Sequence, residues 1–209
     1  MSEIAFVLGN GESRKGIDIN DLKSKGKVYA CNAVYRTHQP DWLIAVDPKM
    51  MLEIAETDYV VHNKVYSNYN VQYEKHPKLK DHVTWATPSL GWSSGPTGLR
   101  LSCDHGFQDI YILGFDYQGH KEDSKHNRYK LNNIFGDTRN YKKRNDEATF
   151  YGNWMNQTKR VLKDFPNVKF TRVIPKGWFA PKDLDWNENL TTMSLEDFLT
   201  KFTLQLKNL

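Results

Sequence analysis

The residues best suited to chemistry stand near the start of the chain, in the run Gly9-Asn10-Gly11-Glu12-Ser13. Short amide and hydroxyl side chains such as those of Asn10 and Ser13 can bind a base, a ribose or a phosphate. Glycine lacks the Cβ atom that would keep a ligand away from the backbone. Residues 4–8 are all apolar, as in a buried parallel strand, and parallel sheets bind nucleotides where their strands end. We therefore predict that Gly9, Asn10, Gly11 and Ser13 bind a nucleotide, the alternative being a plain strand-to-helix turn.

Two common nucleotide motifs do not fit this run. The dinucleotide fingerprint needs a third glycine three residues after the second, but this chain has Arg14 there and Gly16 comes two residues late. A P-loop needs Gly-Lys followed by Ser or Thr, and no stretch of the chain supplies it. The sequence therefore disfavours an NAD site and ATP hydrolysis by a P-loop.

Two further apolar segments end on polar residues in the same way. Residues 27–31 precede Asn32, and residues 41–46 precede Asp47. If these strands are parallel neighbours of the first one, Asn32 and Asp47 line one crevice together with Asn10. Each of these side chains taken alone could instead cap a helix.

A turn of small residues, Ser93-Ser94-Gly95, precedes a helix that closes at His105-Gly106. The free N–H groups and positive end of such a helix attract anions, so Ser94 and Gly95 are predicted to contact the ligand. The apolar strand that follows ends on Asp116 and Tyr117, which we place beside the nucleotide. A carboxylate at that edge has no role in core packing, so Asp116 is expected to serve activity more than stability.

The alternation of strand and helix patterns predicts an α/β fold, a single Rossmann-like domain over residues 1–209 with a mostly parallel sheet flanked by helices. Shorter strands are predicted over residues 59–61, 65–66, 83–86 and 168–173. Near the end of the chain, Ser194 is a plausible N-cap of a helix over about residues 194–207. Its apolar face would pack on the sheet or on a second subunit, which would make the protein a homo-oligomer.

Four motifs together resemble a known family: Gly9-Asn10-Gly11-Glu12-Ser13, Cys31-Asn32, Ser94-Gly95 and the segment 106–116. Their order is similar to that in small bacterial sialyltransferases of glycosyltransferase family 42. It also resembles the wider Rossmann-like group that includes archaeal pterin diphosphokinases. The resemblance covers roughly residues 3–117. It implies that Asn10 and Asn32 hold the nucleotide and its phosphate, that Ser94 and Gly95 touch the donor, and that Asp116 lies beside the nucleotide.

The chain departs from the sialyltransferase pattern at three places. Residues 147–152 contain no histidine where that family has its base, Glu12 replaces a proline, and Asp47 replaces an asparagine. Two added carboxylates would repel a phosphate unless a cation or a base pairs with them.

Residues 119–145, the basic segment, are polar, rich in Lys, Arg and His, and without apolar periodicity. This pattern is typical of a mobile lid. On closure its cations would neutralise the donor phosphates, and His120 or His126 would supply the missing base. The alternatives are a solvated surface loop, or a strip that binds a nucleic-acid backbone with bases stacked on Tyr129 and Tyr141.

Composition bounds the class of protein. The 209 residues carry a net charge of +4 and only two cysteines, Cys31 and Cys103, neither of them in a Cys-x-x-Cys pair, so we expect buried thiols and no disulfide framework. No apolar run approaches the ~18 residues of a membrane span, and no leader pattern stands at the N-terminus. We expect a cytoplasmic protein.

The favoured function is a glycosyltransferase that moves a sugar from a nucleotide-activated donor, such as a CMP-sugar, to an acceptor hydroxyl. In this interpretation Asp116, His120 and His126 are the catalytic candidates, and no metal or other cofactor is required. A phosphotransferase of the diphosphokinase type is an alternative, and it would require Mg²⁺ on Asp47 and Asp116. A second alternative is a non-catalytic protein that binds nucleotides or, less favoured, nucleic acid.

Overall fold

The computed structural model of the chain describes residues 3–121, 129–185 and 187–208. Ten strands are described: β1 (Ile4–Leu8), β2 (Lys27–Cys31), β3 (Trp42–Ile44), β4 (Val65–Ser67), β5 (Val83–Trp85), β6 (Asp109–Leu113), β7 (His120–Lys121), β8 (Tyr129–Lys130), β9 (Lys169–Ile174) and β10 (Leu190–Ser194). The α-helices are α1 (Ile19–Lys23), α2 (Pro48–Ala55), α3 (Tyr59–His62), α4 (Pro77–His82), α5 (Ser94–Asp104), α6 (Gly152–Asp164) and α7 (Leu195–Phe202).

Eight of these strands form one sheet in the order β10-β9-β6-β1-β2-β3-β4-β5, and every described pair in it is parallel. From β1 the chain first adds β2 to β5 on one side, and then returns to place β6, β9 and β10 on the other side. The strand order therefore reverses between β1 and β6, and a crevice opens at such a point beyond the carboxyl ends of the strands. The predicted α/β class and parallel sheet are confirmed.

Side chains alternate between the two faces of β1, and each face is buried under helices. Phe6 and Leu8 belong to one apolar cluster, while Ala5 and Val7 belong to the other. Helix α7 covers the first face, where Phe198 lies with its ring centroid 6.0 Å from that of Phe6. The C-terminal helix thus packs on the sheet, which was one of its two predicted positions.

Three local predictions are corrected. Residues 59–61 belong to helix α3, because the Thr57 hydroxyl accepts a hydrogen bond from the Tyr59 N–H at 3.2 Å and starts a helical turn. The C-terminal helix spans Leu195–Phe202 and stops short of residue 207, since Thr203 adopts a left-handed conformation with φ 54°. Strand β10 lies directly before that helix, where no strand was predicted.

The described part of the basic segment (residues 119–145) lies over the ends of β1 and β2. Strands β7 and β8 pair in antiparallel fashion, and the Ile134 N–H donates to the Asn10 carbonyl at 2.9 Å. Leu131 is buried, and Tyr141 packs against the core cluster that contains Phe6. These residues form a wall of the crevice that carries its own apolar contacts.

Across the described ranges no helix combines the length and the apolar character that crossing a membrane would require.

Candidate functional site

A cavity of about 370 Å³ lies in the crevice between the ends of β1 and β6. It reaches the ends of β2 and β3, the start of α5 and the basic segment. Nine residues that sequence reasoning singled out line it together: Gly9, Asn10, Gly11, Asn32, Asp47, Ser94, Gly95, Asp116 and Tyr117. Ser13 does not line it. The fold therefore gathers most of the predicted set at one place.

The two glycines after β1 are required by the protein itself. A Cβ atom on Gly9 would lie 2.5 Å from the Gly114 carbonyl oxygen, and one on Gly11 would overlap the Asp116 carboxylate. The Gly9 and Gly11 N–H groups donate to the carbonyls of Leu113 and Gly114 at 2.8 and 2.9 Å. Sequence reasoning attributed these glycines to ligand approach, but the close contact between the β1 and β6 turns already excludes a side chain.

Asn10 joins three parts of the crevice. Its Nδ2 donates to the Cys31 carbonyl at 3.2 Å and to the Tyr141 hydroxyl at 3.3 Å, while its Oδ1 accepts from Arg14 Nη2 at 3.1 Å. The amide is therefore used largely in bracing the first turn against β2 and the basic segment. Direct ligand contact by Asn10 stays a prediction.

Arg14 is a buried cation behind this turn that sequence reasoning noted only as a missing glycine. Its side chain is 5% exposed, and its Nε donates to the Gly9 carbonyl. Burial lowers the pKa of Arg14 to about 10, an effect that neighbouring groups including Asp116 partly offset. At neutral pH it remains charged, so the cavity has a fixed positive charge beside it.

The start of α5 is built to face the cavity. Asn32, in a left-handed conformation with φ 56°, accepts a hydrogen bond through Oδ1 from the Ser94 hydroxyl at 3.0 Å. The Val46 N–H donates to the same hydroxyl at 3.2 Å. The first hydrogen bond within the helix runs from the Thr97 N–H to the Ser93 carbonyl. Within the described part of the chain the N–H groups of Ser94 and Gly95 have no acceptor, as expected of a helix N-terminus.

Asp116 is buried, with 7% of its surface exposed. Its Oδ2 accepts from the Ser13 N–H at 3.0 Å, and its Oδ1 accepts from the Ser13 hydroxyl. Ser13 therefore holds the Asp116 carboxylate in place without lining the cavity itself. Asp47 is exposed instead, and its Oδ1 accepts from the Lys49 N–H at 2.8 Å, so it caps α2 as the alternative interpretation of its position held.

Aromatic side chains supply the remaining wall. Tyr117, at φ 52°, donates its hydroxyl to Thr158 Oγ1 at 2.7 Å, and burial raises its pKa to about 12. Tyr151 and Trp154 from the start of α6 also line the cavity. Burial, with a further contribution from Asp116, raises the pKa of Tyr151 to about 12. Sequence reasoning did not single out these two residues, and no local pattern in α6 distinguishes them.

His120 lies in a second, smaller cavity of about 220 Å³ that shares Asp116 and Asn132 with the first. Its Nε2 is 3.1 Å from Glu12 Oε2, an ion-pair distance for a protonated ring, although the two groups are not aligned for a hydrogen bond. Sequence reasoning named His120 as a candidate base, and the structure places it outside the main cavity, on the other side of Asp116. His126, the other predicted base, lies outside the described residues.

Two arginines of the basic segment pair with acids elsewhere in the chain. Arg139 donates two hydrogen bonds to Glu56, each at 2.6 Å, and Arg144 pairs with Glu12 at 2.9 Å. Lys142 lines the main cavity, and its Nζ donates to the Glu147 carbonyl at 3.2 Å. Among the described cations of the segment, Lys142 is the one that lines the main cavity. That it neutralises a donor phosphate there stays a prediction.

Among the described residues no three His, Cys, Asp or Glu side chains come together as metal ligands. The carboxylates expected to hold Mg²⁺ in a phosphotransferase, Asp47 and Asp116, do line the same cavity.

Comparison with known proteins assigns the chain to no family. No family model matches the chain, and no curated protein sequence matches it. Among solved structures it is similar to the sialyltransferase CstII from Campylobacter jejuni, determined in complex with a substrate analogue, cytidine-5'-monophosphate. The identity is 16% and the TM-score is 0.49, over 82% of this chain and 79% of that one.

Proposed function

We propose that this protein is a glycosyltransferase that uses a nucleotide-activated sugar of the CMP-sugar type. The observation that carries the proposal is the main cavity itself, which joins the β1 and β6 turns to the open N-terminus of α5. Its volume of about 370 Å³ falls in the range of roughly 300–1,000 Å³ found for small-molecule sites. The order of the sequence motifs favours the same class.

In this proposal the donor phosphate binds at the start of α5. The N–H groups of Ser94 and Gly95 and the positive end of the helix attract an anion. Lys142 lines the same cavity, and Arg14 adds positive charge from behind the β1 turn. The aromatic side chains along the opposite wall then pack against the base and the sugar of the nucleotide.

Transfer requires a base for the acceptor hydroxyl, and His120 is the candidate within the described residues. The acceptor oxygen gives its proton to the imidazole and forms a bond to the anomeric carbon of the donor. The bond from that carbon to the phosphate oxygen breaks, and its electron pair leaves with the nucleotide. Helix-end N–H groups and neighbouring cations stabilise the charge on the departing phosphate. Direct attack inverts the configuration at the sugar carbon.

Calorimetric titration with CMP, compared with AMP, GMP and UMP, tests the binding step. At a ligand concentration of about 100 times Kd, binding adds ~2.7 kcal/mol to the free energy of unfolding. For a chain of this size that raises Tm by roughly 5–10 °C. If no nucleoside monophosphate binds or raises Tm, the proposal is wrong.

A phosphotransferase remains the second candidate, because Asp47 and Asp116 line one cavity and could share a metal ion. The two functions differ in metal dependence. Turnover of a CMP-sugar that persists in excess EDTA supports the glycosyltransferase, and nucleotide binding that requires Mg²⁺ supports the phosphotransferase.

A further inference from the structure

The second cavity has the composition of a site of its own. It measures about 220 Å³, and its lining includes His120, Gln118, Trp178 and Phe179. Asp116 separates it from the main cavity and lines both. A molecule bound here would therefore lie next to whatever occupies the main cavity.

The aromatic side of this cavity is held by a buried arginine of β9. Arg172 is 3% exposed and donates to the Phe179 carbonyl through Nη1 and Nη2, each at 3.1 Å. It also donates to the Phe115 carbonyl, directly before Asp116, through Nε at 3.1 Å and Nη2 at 2.8 Å. Both ends of the guanidinium thus fix backbone carbonyls, and the loop with Trp178 is tied to the end of β6.

His120, next to Trp178 in the lining of this cavity, is the group that could take a proton from a hydroxyl. The centroids of the His120 and Trp178 rings lie 6.1 Å apart, nearly perpendicular to each other, so the imidazole stands beside the indole. Glu12 Oε2 lies 3.1 Å from His120 Nε2, where it would stabilise an imidazolium formed by proton uptake. Phe179 remains 42% exposed, although an aromatic side chain of that size is usually covered.

Two partly exposed aromatic side chains beside an imidazole and an amide match one kind of small molecule well. A pyranose ring has an apolar C–H face, which packs on aromatic rings, and hydroxyls around its edge, which hydrogen-bond to side chains. A purely apolar ligand would leave His120 and Gln118 unused, and a phosphate would meet the Asp116 carboxylate, with no lysine or arginine among the described residues that line this cavity.

We infer that the second cavity is the acceptor subsite, which binds a pyranoside with its C–H face on Trp178 and a hydroxyl at His120. The inference rests on the proposed glycosyltransferase function and adds the acceptor class. In the transfer step, the hydroxyl proton moves to His120 as the acceptor oxygen bonds to the anomeric carbon of the donor. The nucleotide then leaves with the electron pair of the broken C–O bond. Trp178 and Phe179 position the acceptor and take no part in proton transfer.

Saturation-transfer NMR on the full chain without nucleotide tests this subsite directly. The probes are the methyl β-glycosides of glucose, galactose and N-acetylglucosamine, at millimolar concentration. We expect transfer from the protein to the ring C–H protons of at least one glycoside. In the Trp178→Leu variant the Kd of that glycoside should rise at least about tenfold, and a tenfold rise corresponds to about 1.4 kcal/mol.

Trp42→Leu is the matched control, since Trp42 is also half-buried and lies at the amino end of β3, whereas both cavities lie beyond the carboxyl ends of the strands. It should leave the glycoside Kd within about twofold. Circular dichroism and Tm establish that both variants are folded.

The two proposals fail in different ways. If no glycoside binds the wild-type protein, or if Trp178→Leu binds as well as Trp42→Leu does, the subsite is wrong whatever CMP does. If CMP does not bind but the glycoside does and depends on Trp178, the proposed function is wrong and the sugar site stands. With both ligands bound, Trp178→Leu should raise KM for the acceptor and leave the Kd of CMP unchanged.

Discussion

Replacing Asp116 with asparagine separates a catalytic role from a structural one. The sequence led us to expect a residue that matters for activity and little for stability, but the carboxylate is buried and accepts two hydrogen bonds from Ser13. An asparagine keeps one acceptor oxygen and turns an NH₂ group toward the other donor. Losing one hydrogen bond to a charged group costs about 1.5–3 kcal/mol. For a chain of about 200 residues, this lowers Tm by roughly 4–10 °C.

The expected loss of activity is larger than the loss of stability explains. If the charge of Asp116 orients the donor at the wall between the two cavities, Asp116→Asn should lower kcat ~10²-fold, about 2.7 kcal/mol of barrier. Ser13→Ala is the matched control, because it removes the hydroxyl donor and leaves the carboxylate charged. It should lower Tm by a similar amount and lose far less turnover.

Calorimetry gives Tm for each variant. The release of CMP from a CMP-sugar gives kcat, measured at a temperature well below the Tm of every variant. Equal losses of turnover in Asp116→Asn and Ser13→Ala would show that Asp116 acts only by holding the β1 turn. Normal turnover in Asp116→Asn would remove it from the site.

Two further predictions concern Glu53 of α2 and Lys142 of the basic segment. Burial acts to raise the pKa of Glu53, but hydrogen bonds from Arg36, Tyr35 and Asn140 outweigh it and hold that pKa below 4.5. A lowered carboxyl pKa adds stability that is fully present above 4.5 and is lost as pH falls through the folded value. Glu53→Gln should therefore lower Tm at pH 7 and flatten the fall of Tm below pH 4.5. If Tm of the variant falls with pH as steeply as that of the wild type, the lowered pKa of Glu53 does not contribute to stability. Lys142→Gln should raise the Kd of CMP about two- to fivefold, the size expected for an exposed charge contact. Lys143→Gln is the control and should leave that Kd unchanged. Equal effects of the two changes in calorimetric titration would place the phosphate elsewhere.

The sequence predicted the strand ends well because the signals there are local. An apolar run followed by Asn10, Asn32, Asp47 or Asp116 carries both the strand and the polar residue that ends it. Parallel pairing then brings the ends to one edge without further information. This is why the residues at the strand ends that line the main cavity were predicted, while the direction of each of their side chains was not.

What sequence reasoning missed depends on contacts between distant residues. Arg14 and Arg172 resemble surface cations in the sequence, yet both are buried, with their donors turned to backbone carbonyls. Tyr151 and Trp154 reach the cavity because α6 packs beside α5, which no periodicity in α6 itself reveals. The predicted strand over residues 59–61 failed because a hydroxyl at Thr57 starts a helical turn that outweighs the β preference of valine.

The sequence suggested that carboxylates near the main cavity would repel a phosphate. In the structure the charge of Glu12 is paired. One oxygen of Glu12 pairs with Arg144 at 2.9 Å, and the other lies 3.1 Å from His120.

Asp116 lies near two buried guanidiniums, those of Arg14 and Arg172. Its negative charge acts to raise the pKa of both, against the lowering by burial. Asp47 and Lys142 also line the main cavity. Three positive charges (Arg14, Arg172 and Lys142) therefore stand near two negative ones (Asp47 and Asp116). Salt screens buried charges much less than it screens exposed ones. A phosphate bound at the start of α5 would therefore meet fixed charge that is on balance positive, and the departure at Glu12 does not by itself oppose an anionic donor.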